Sequence, residues 1–183
     1  MKIADILRDK KFVFSMEIFP PKPDSDISVI YNTLDGLKDL KPDFISITFG
    51  AGGGTRTRTV EIAERIENHY KIPCMAHLTC IGATKASITE ILNELKAKNI
   101  QNIMALRGDL PEGVKNPLKD FKYAADLVKF IKKKWDFCVG VAGYPEKHPQ
   151  AKDMKRDLKH LKEKVKAGAS FITTQLFLNN DHY

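Results

Sequence analysis

The chain has 183 residues, 43% hydrophobic and 29% charged, with a formal net charge of +7. That is the make-up of one globular domain with a sizeable core, and no apolar run nears the ~20 residues that span a bilayer. Cys74, Cys80 and Cys138, an odd count without CxxC spacing, indicate neither a disulfide frame nor a zinc site. The basic excess lies on Lys132, Lys133, Lys134 and the run from Lys152 to Lys166, spaced as solvated helix faces. We therefore expect no nucleic-acid partner and no membrane; a polyanionic small molecule suits the charge better. The start, Met1 to Arg8, carries an acid early, at Asp5, and lacks a signal-peptide core, so the cytoplasm is the expected compartment.

In chain order, a short helix over 2–9 precedes a strand over 12–18 that Pro20 and Pro21 end. Asp24 to Ser28 offers helix caps, and Ile30, Leu34, Leu37 and Leu40 keep helical spacing. The second strand runs over 44–48 into a glycine-rich loop, Gly50 to Gly54, and a helix from Thr55 carries Val60, Ile62, Ala63 and Ile66. The third strand covers 74–79. Ser87 with Glu90 matches a capping box for the next helix, which Asn99 stops.

The fourth strand, Ile103 to Leu106, ends in Arg107-Gly108-Asp109, with Pro111 halting further pairing. A strand that carries a cation and a carboxylate at its tip, around a glycine that permits close backbone approach, is built for a ligand. After a loop with Gly113 and Pro117, the residues Tyr123, Leu127, Val128 and Ile131 mark a helix. The fifth strand covers 137–142. A helix over 151–167 turns Leu158, Leu161 and Val165 inward and stops at Gly168, and the sixth strand covers 170–177.

Strand and helix thus alternate with a period of about 30 residues, which requires a parallel sheet with crossover helices. A doubly wound sheet and a (β/α)8 barrel both satisfy the alternation. Polar groups at the C-terminal ends of different strands decide for the barrel: Glu17, Thr48, His77 with Thr79, Arg107 with Asp109, Tyr144 and Gln175. The glycine run also fails the dinucleotide fingerprint, because Thr55 stands where a third glycine belongs. A full barrel takes ~250 residues, so the expectation is a single domain, 1–183, forming the first three quarters of one. Its two open edges call for the missing strands or for a second copy of the chain.

Glu17, framed by Met16 and Ile18, suits a general acid if its carboxyl is desolvated, whereas Asp109 beside Arg107 should stay ionised. His77 and Thr79 share one face of a strand and suit hydrogen bonding to a cofactor; no second ligand stands at metal spacing. Tyr144 and His148 bring an aromatic ring and an imidazole to the rim. These residues describe a barrel enzyme with a large, flat or anionic ligand, without the lysine of a Schiff-base aldolase or a nucleophilic triad.

Several segments together resemble the methylenetetrahydrofolate reductase family: Phe14-Ser15-Met16-Glu17-Ile18-Phe19-Pro20-Pro21-Lys22, Ser46-Ile47-Thr48-Phe49-Gly50-Ala51, His77-Leu78-Thr79-Cys80, Ala105-Leu106-Arg107-Gly108-Asp109 and Tyr144-Pro145-Glu146-Lys147-His148-Pro149. Ala167-Gly168-Ala169 leading to Thr174-Gln175-Leu176-Phe177 completes the order. The resemblance implies a (β/α)8 flavoenzyme in which NAD(P)H reduces FAD and 5,10-methylenetetrahydrofolate is then reduced to 5-methyltetrahydrofolate. It implies that Glu17 protonates the folate's bridging amine and that Asp109 holds the pterin near the flavin. Gln175 would contact folate. Thr48, His77, Arg107, Gly108, Asp109, Tyr123, Ala124, Tyr144, His148, Ala151, Asp157 and Lys164 match positions that hold FAD, with Lys164 and Arg107 answering its charge.

Two departures stand out. The loop from Gly52 to Arg58 is glycine-rich where many members are more polar, and the family continues for two more strands. A flavin- or folate-binding fragment without turnover, and an unrelated barrel lyase or aldolase, are the alternatives.

Overall fold

The computed structural model describes residues 1–22, 24–49, 53–109 and 118–183. Six strands form one parallel sheet in strictly sequential order: β1 (Ser15–Ile18), β2 (Phe44–Ile47), β3 (Cys74–Thr79), β4 (Asn102–Leu106), β5 (Cys138–Gly143) and β6 (Phe171–Thr174). The intervening helices are α2 (Ser28–Leu37), α3 (Gly53–Glu64), α4 (Lys85–Ala97), α5 (Ala124–Lys134) and α6 (Met154–Lys166), with α1 (Ile3–Asp9) ahead of the first strand. Sequential order without a switch point is the topology of a barrel wall and not of a doubly wound sheet. The result is a curled, partial (β/α)8 barrel with every strand's C-terminal end on one rim.

Alternation along the strands builds two cores. Ile45, Ile47, Ala76, Leu78, Ile103, Ala105, Val139 and Val141 face outward and pack under the helices against Leu34, Ile66, Ile88, Leu92, Leu127 and Ile131. The concave side is floored by a smaller cluster in which Ile3 and Ile6 of α1 meet Phe44, Met75 and Met104. Asn102 fixes that plug: fully buried, it accepts from the Ile3 amide at 2.8 Å and donates to the carbonyls of Met1 at 3.0 Å and Cys74 at 3.2 Å. Gly140 leaves room for the β6 side chain of Phe171, whose ring lies 2.6 Å from where a Cβ would stand. All three cysteines are buried and free.

The sequence expectations need several corrections. The first strand starts at Ser15 and the sixth ends at Thr174, because ladder pairing with β2 begins at Ser15 and pairing with β5 ends at Thr174. Leu40 is exposed, since the chain turns through a left-handed Lys41 (φ 51°) after a single 3-10 turn. The cap of α4 is Thr84, which accepts from the Ser87 amide at 3.1 Å, so Ser87 is the third helical residue and Glu90 has no part in the box. Helix α3 begins at Gly53, two residues before the expected start, and eases into a π-helical turn over Arg65–His69.

Leu158 and Val165, expected to point inward, are exposed on α6, and Leu176 and Leu178 after β6 are more so. Sequence periodicity records a face meant for burial, but among the described residues no neighbour covers this edge of the wall. The halting role of Pro111, the loop around Gly113 and Pro117, and Gly50 to Gly52 lie outside the described residues. Among the described residues no helix is long and apolar enough to cross a membrane.

Candidate functional site

At the end of β4 the chain leaves the sheet through Arg107, and Gly108 adopts φ +87°. A Cβ there would lie 2.9 Å from Ile81 Cγ2 and 3.0 Å from Thr79 Cβ. The close approach that demands glycine is therefore to the end of the neighbouring strand. The amides of Cys80 and Ile81 donate to the Arg107 carbonyl at 3.2 and 2.8 Å and lock the turn. Beyond this point opens a cleft of about 530 Å³, between the tips of β4 and β5 and the flanks of α5 and α6. That size suits a small-molecule cofactor.

The segment after β5 is fixed from α6. Asp157 accepts from the His148 amide at 2.9 Å, and His148 Nδ1 accepts from the Gln150 amide at 3.1 Å. The Gln150 side chain in turn accepts from Arg107 Nη2 at 2.7 Å, so the tips of β4 and β5 are tied across the cleft. Burial, with Arg107 nearby, holds the His148 pKa below its ordinary value and favours a neutral ring that accepts at Nδ1. Tyr144 packs edge-on against His148, centroids 4.6 Å apart. Burial and the carboxylates of Asp109 and Asp157 push its hydroxyl pKa upward.

Lys164 projects from α6 under this segment and donates to the Ala142 carbonyl at 2.6 Å. Burial lowers its pKa and Asp157 opposes the shift. A cation held with a carbonyl as its hydrogen-bond partner is poised to accept an anionic ligand. On the far wall Tyr123, next to the start of α5, stacks on His160 at 5.7 Å. Four cationic side chains of the lining, Arg107, Lys152, Arg156 and Lys164, stand against the carboxylates of Asp109, Asp157 and Glu163.

Ten of the residues expected around a cofactor line this one cleft: Arg107, Gly108, Asp109, Tyr123, Ala124, Tyr144, His148, Ala151, Asp157 and Lys164. Thr48 and His77 do not; they stand on the strands to the other side of β4. Gln150, Lys152, Arg156, His160 and Glu163 also line the cleft without having been anticipated. The spacing of Asp157, His160 and Lys164, at i, i+3 and i+7 of one helix, was the available signal.

Glu17 and His77 meet on the concave face, with Glu17 Oε2 3.4 Å from His77 Nε2 and 3.3 Å from Ser46 Oγ. The desolvation expected of Glu17 from its apolar neighbours is not found, for its side chain is 49% exposed. Met16 and Ile18 point to the opposite face of the strand and do not shield it. Gln175 extends past β6, its amide donating to the Gly143 carbonyl at 2.8 Å. Among the described residues no cluster of three or more metal-ligating side chains occurs.

A barrel wall whose rim gathers these groups has solved counterparts. A chain from Aquifex aeolicus superposes with a TM-score of 0.55 at 12% identity, over 98% of this chain and 81% of its own. A monomeric dihydrodipicolinate synthase variant gives 0.51 at 13% identity, over 93% and 64%. At these identities the likeness is of fold alone.

Sequence relatives are far nearer. The 5,10-methylenetetrahydrofolate reductases of Salmonella typhimurium and Escherichia coli are each 42% identical over 169 residues, covering 92% of this chain. A methylenetetrahydrofolate reductase (NADH) of Zea mays is 39% identical over an alignment of 194 positions, gaps included, that covers 98% of this chain. The chain spans 56% of the length of the two bacterial relatives and 33% of the maize protein. The family model described as methylenetetrahydrofolate reductase matches residues 2–183. On that match, and on its nearness to these relatives, the chain belongs to the methylenetetrahydrofolate reductase family.

Proposed function

We propose that this chain is the flavin-binding part of an NAD(P)H-dependent reductase that converts 5,10-methylenetetrahydrofolate to 5-methyltetrahydrofolate in the cytoplasm. Residues 1–183 would form the N-terminal three quarters of a (β/α)8 barrel, closed by two further β/α units or by a second copy. The observation that carries the reading is the single cleft in which ten of the anticipated cofactor residues converge. Its size, its half-buried Lys164, its backbone turn at Gly108 and its aromatic rings fit FAD. When bound, the flavin would supply hydride transfer between nicotinamide and folate.

The chain's own residues bind and direct protons. Lys164 and Arg107 neutralise an anionic ligand, and Arg107 is aimed by Gln150. Tyr144 and His148 wall off the β5 side. Glu17 lies on the open concave face, where it can hand a proton to the bridging amine of folate and so open its five-membered ring to a cationic iminium. Asp109, exposed at the cleft's edge, places negative charge where that cation is reduced. Gln175 reaches the same rim from β6, where its side-chain amide would contact folate.

The exposed edge formed by α6 and β6 favours one second reading, a chain that binds flavin without folate turnover. Purified protein that carries yellow flavin absorbance supports both readings; colourless protein that cannot be loaded with FAD ends both. Reduction of menadione and of methylenetetrahydrofolate by NAD(P)H establishes the reductase, and a flavin-loaded protein inert towards folate leaves the binding fragment.

A further inference from the structure

We infer that His77 is the positioning residue for the Glu17 carboxyl, fixing one oxygen through a neutral imidazole so that the other is left to carry the exchangeable proton. The inference rests on the reading of Glu17 as the acid.

Three strands build the arrangement. Glu17 on β1 lies in register with Ser46 on β2, whose partner on β3 is Met75. His77, two residues beyond Met75 on the same face of β3, therefore rises to the level of the carboxyl. Ser46 Oγ and His77 Nε2 converge on Oε2, at 3.3 and 3.4 Å, while Oε1 has no hydrogen-bond partner among the described residues. An oxygen that faces the Ser46 hydroxyl and the imidazole together is the poorer site for a proton, which leaves Oε1 to carry the proton of the acid form.

Among the described residues no other group hydrogen-bonds that nitrogen. His77 is 8% exposed, and Nε2 is buried without an aligned hydrogen bond, with Glu17 the carboxylate in reach. Catalytic hydrogen bonds are often long before substrate arrives and tighten in the complex. The charge state also matters, because a cationic imidazole would hold Glu17 ionised and spoil an acid. Burial acts against the cation, lowering the His77 pKa, and Glu17 is the one charged group opposing it. From β2 the facing group is the uncharged Ser46, and from β4 the register partner is Met104.

Histidine-ring 15N NMR on the full natural polypeptide tests the pairing without turnover, with the His77→Gln variant assigning the resonance. His77 should be a neutral Nε2–H tautomer near neutral pH, and Glu17→Gln should lower its titration midpoint by about one pH unit, leaving His69, His148, His160 and His182 unmoved. A midpoint that does not move, or an Nδ1–H tautomer, overturns the assignment.

In the flavin-loaded protein, the pH profile of folate reduction should be displaced in His77→Leu and restored in His77→Gln, whose amide can reach the place of Nε2–H. Identical profiles in both variants and the parent also overturn it. Should Glu17→Gln leave folate reduction intact, the acid reading falls by itself, and the NMR midpoint still decides whether His77 holds this carboxyl.

Discussion

Lys164 Nζ sits 2.6 Å from the carbonyl oxygen of Ala142, so a lysine in the third turn of α6 is pinned beneath the last residues of β5. Little else on α6 is sheltered, which marks this side chain as serving the cleft more than the core. Burial has already removed much of its hydration. An anionic ligand gains a partly desolvated cation with little reorganisation.

We therefore expect Lys164→Met to weaken FAD binding by about tenfold or more, the worth of one charge-assisted hydrogen bond. Flavin fluorescence titration of the apoprotein gives the dissociation constant directly. An unchanged constant would remove Lys164 from the anion site.

The two proposed carboxylates should separate by half-reaction. Glu17→Gln is expected to slow folate reduction by about a hundredfold or more, the usual worth of a general acid, with flavin reduction by NAD(P)H within a few-fold of the parent. Asp109→Asn should slow folate reduction and also raise the flavin's midpoint potential, since a negative charge near the ring disfavours the reduced anion. Stopped-flow absorbance and a spectral redox titration read these out. Equal loss of both half-reactions in Glu17→Gln removes its acid role, and an unaltered potential in Asp109→Asn removes that carboxylate from the flavin's neighbourhood.

Asn102 ties the α1 plug to the barrel floor, and its replacement by leucine leaves the Ile3 amide without its acceptor and takes the side-chain donor from the Met1 and Cys74 carbonyls. Each such loss costs about 1–3 kcal/mol. Asn102→Leu should therefore lose about 2–5 kcal/mol in urea unfolding, and hydrogen exchange should accelerate first in residues 3–9. A loss under about 0.5 kcal/mol would show that the plug is held by Ile3 and Ile6 alone.

Stability should fall as the solution is made more acidic than neutral, and the sign follows from His77. Its folded pKa is below the ordinary 6.5 because it is buried. Between those two values the unfolded chain holds more protons, so stability rises with pH and is lost as pH falls through 6.5. The shift at His148 has the same direction. Glu67, raised by burial, works the other way from its ordinary 4.5 upward. Because Glu67 is common to both proteins, the comparison with His77→Gln cancels it: urea midpoints between about pH 7.5 and pH 5.5 should slope less steeply in the variant. Parallel slopes would mean that His77 does not titrate with folding.

The sequence by itself determined the alternation of six strands and their helices, because apolar period and turn residues are local properties. It determined too that polar groups end several strands, since those side chains interrupt apolar runs visible along the chain. Contacts between strands were beyond it. Ser46 reads as an ordinary strand residue until β1 and β2 come into register and set it against Glu17. Gln150 reads as loop until the tips of β4 and β5 bring it to Arg107. Burial was the second thing only the tertiary structure decided: the apolar frame of Glu17 belongs to the opposite face of its strand, while Lys164, in a run of charged helix residues, is the one half-hidden under a carbonyl. Sequence spacing gives direction along an element, whereas desolvation depends on which neighbours arrive from elsewhere in the chain.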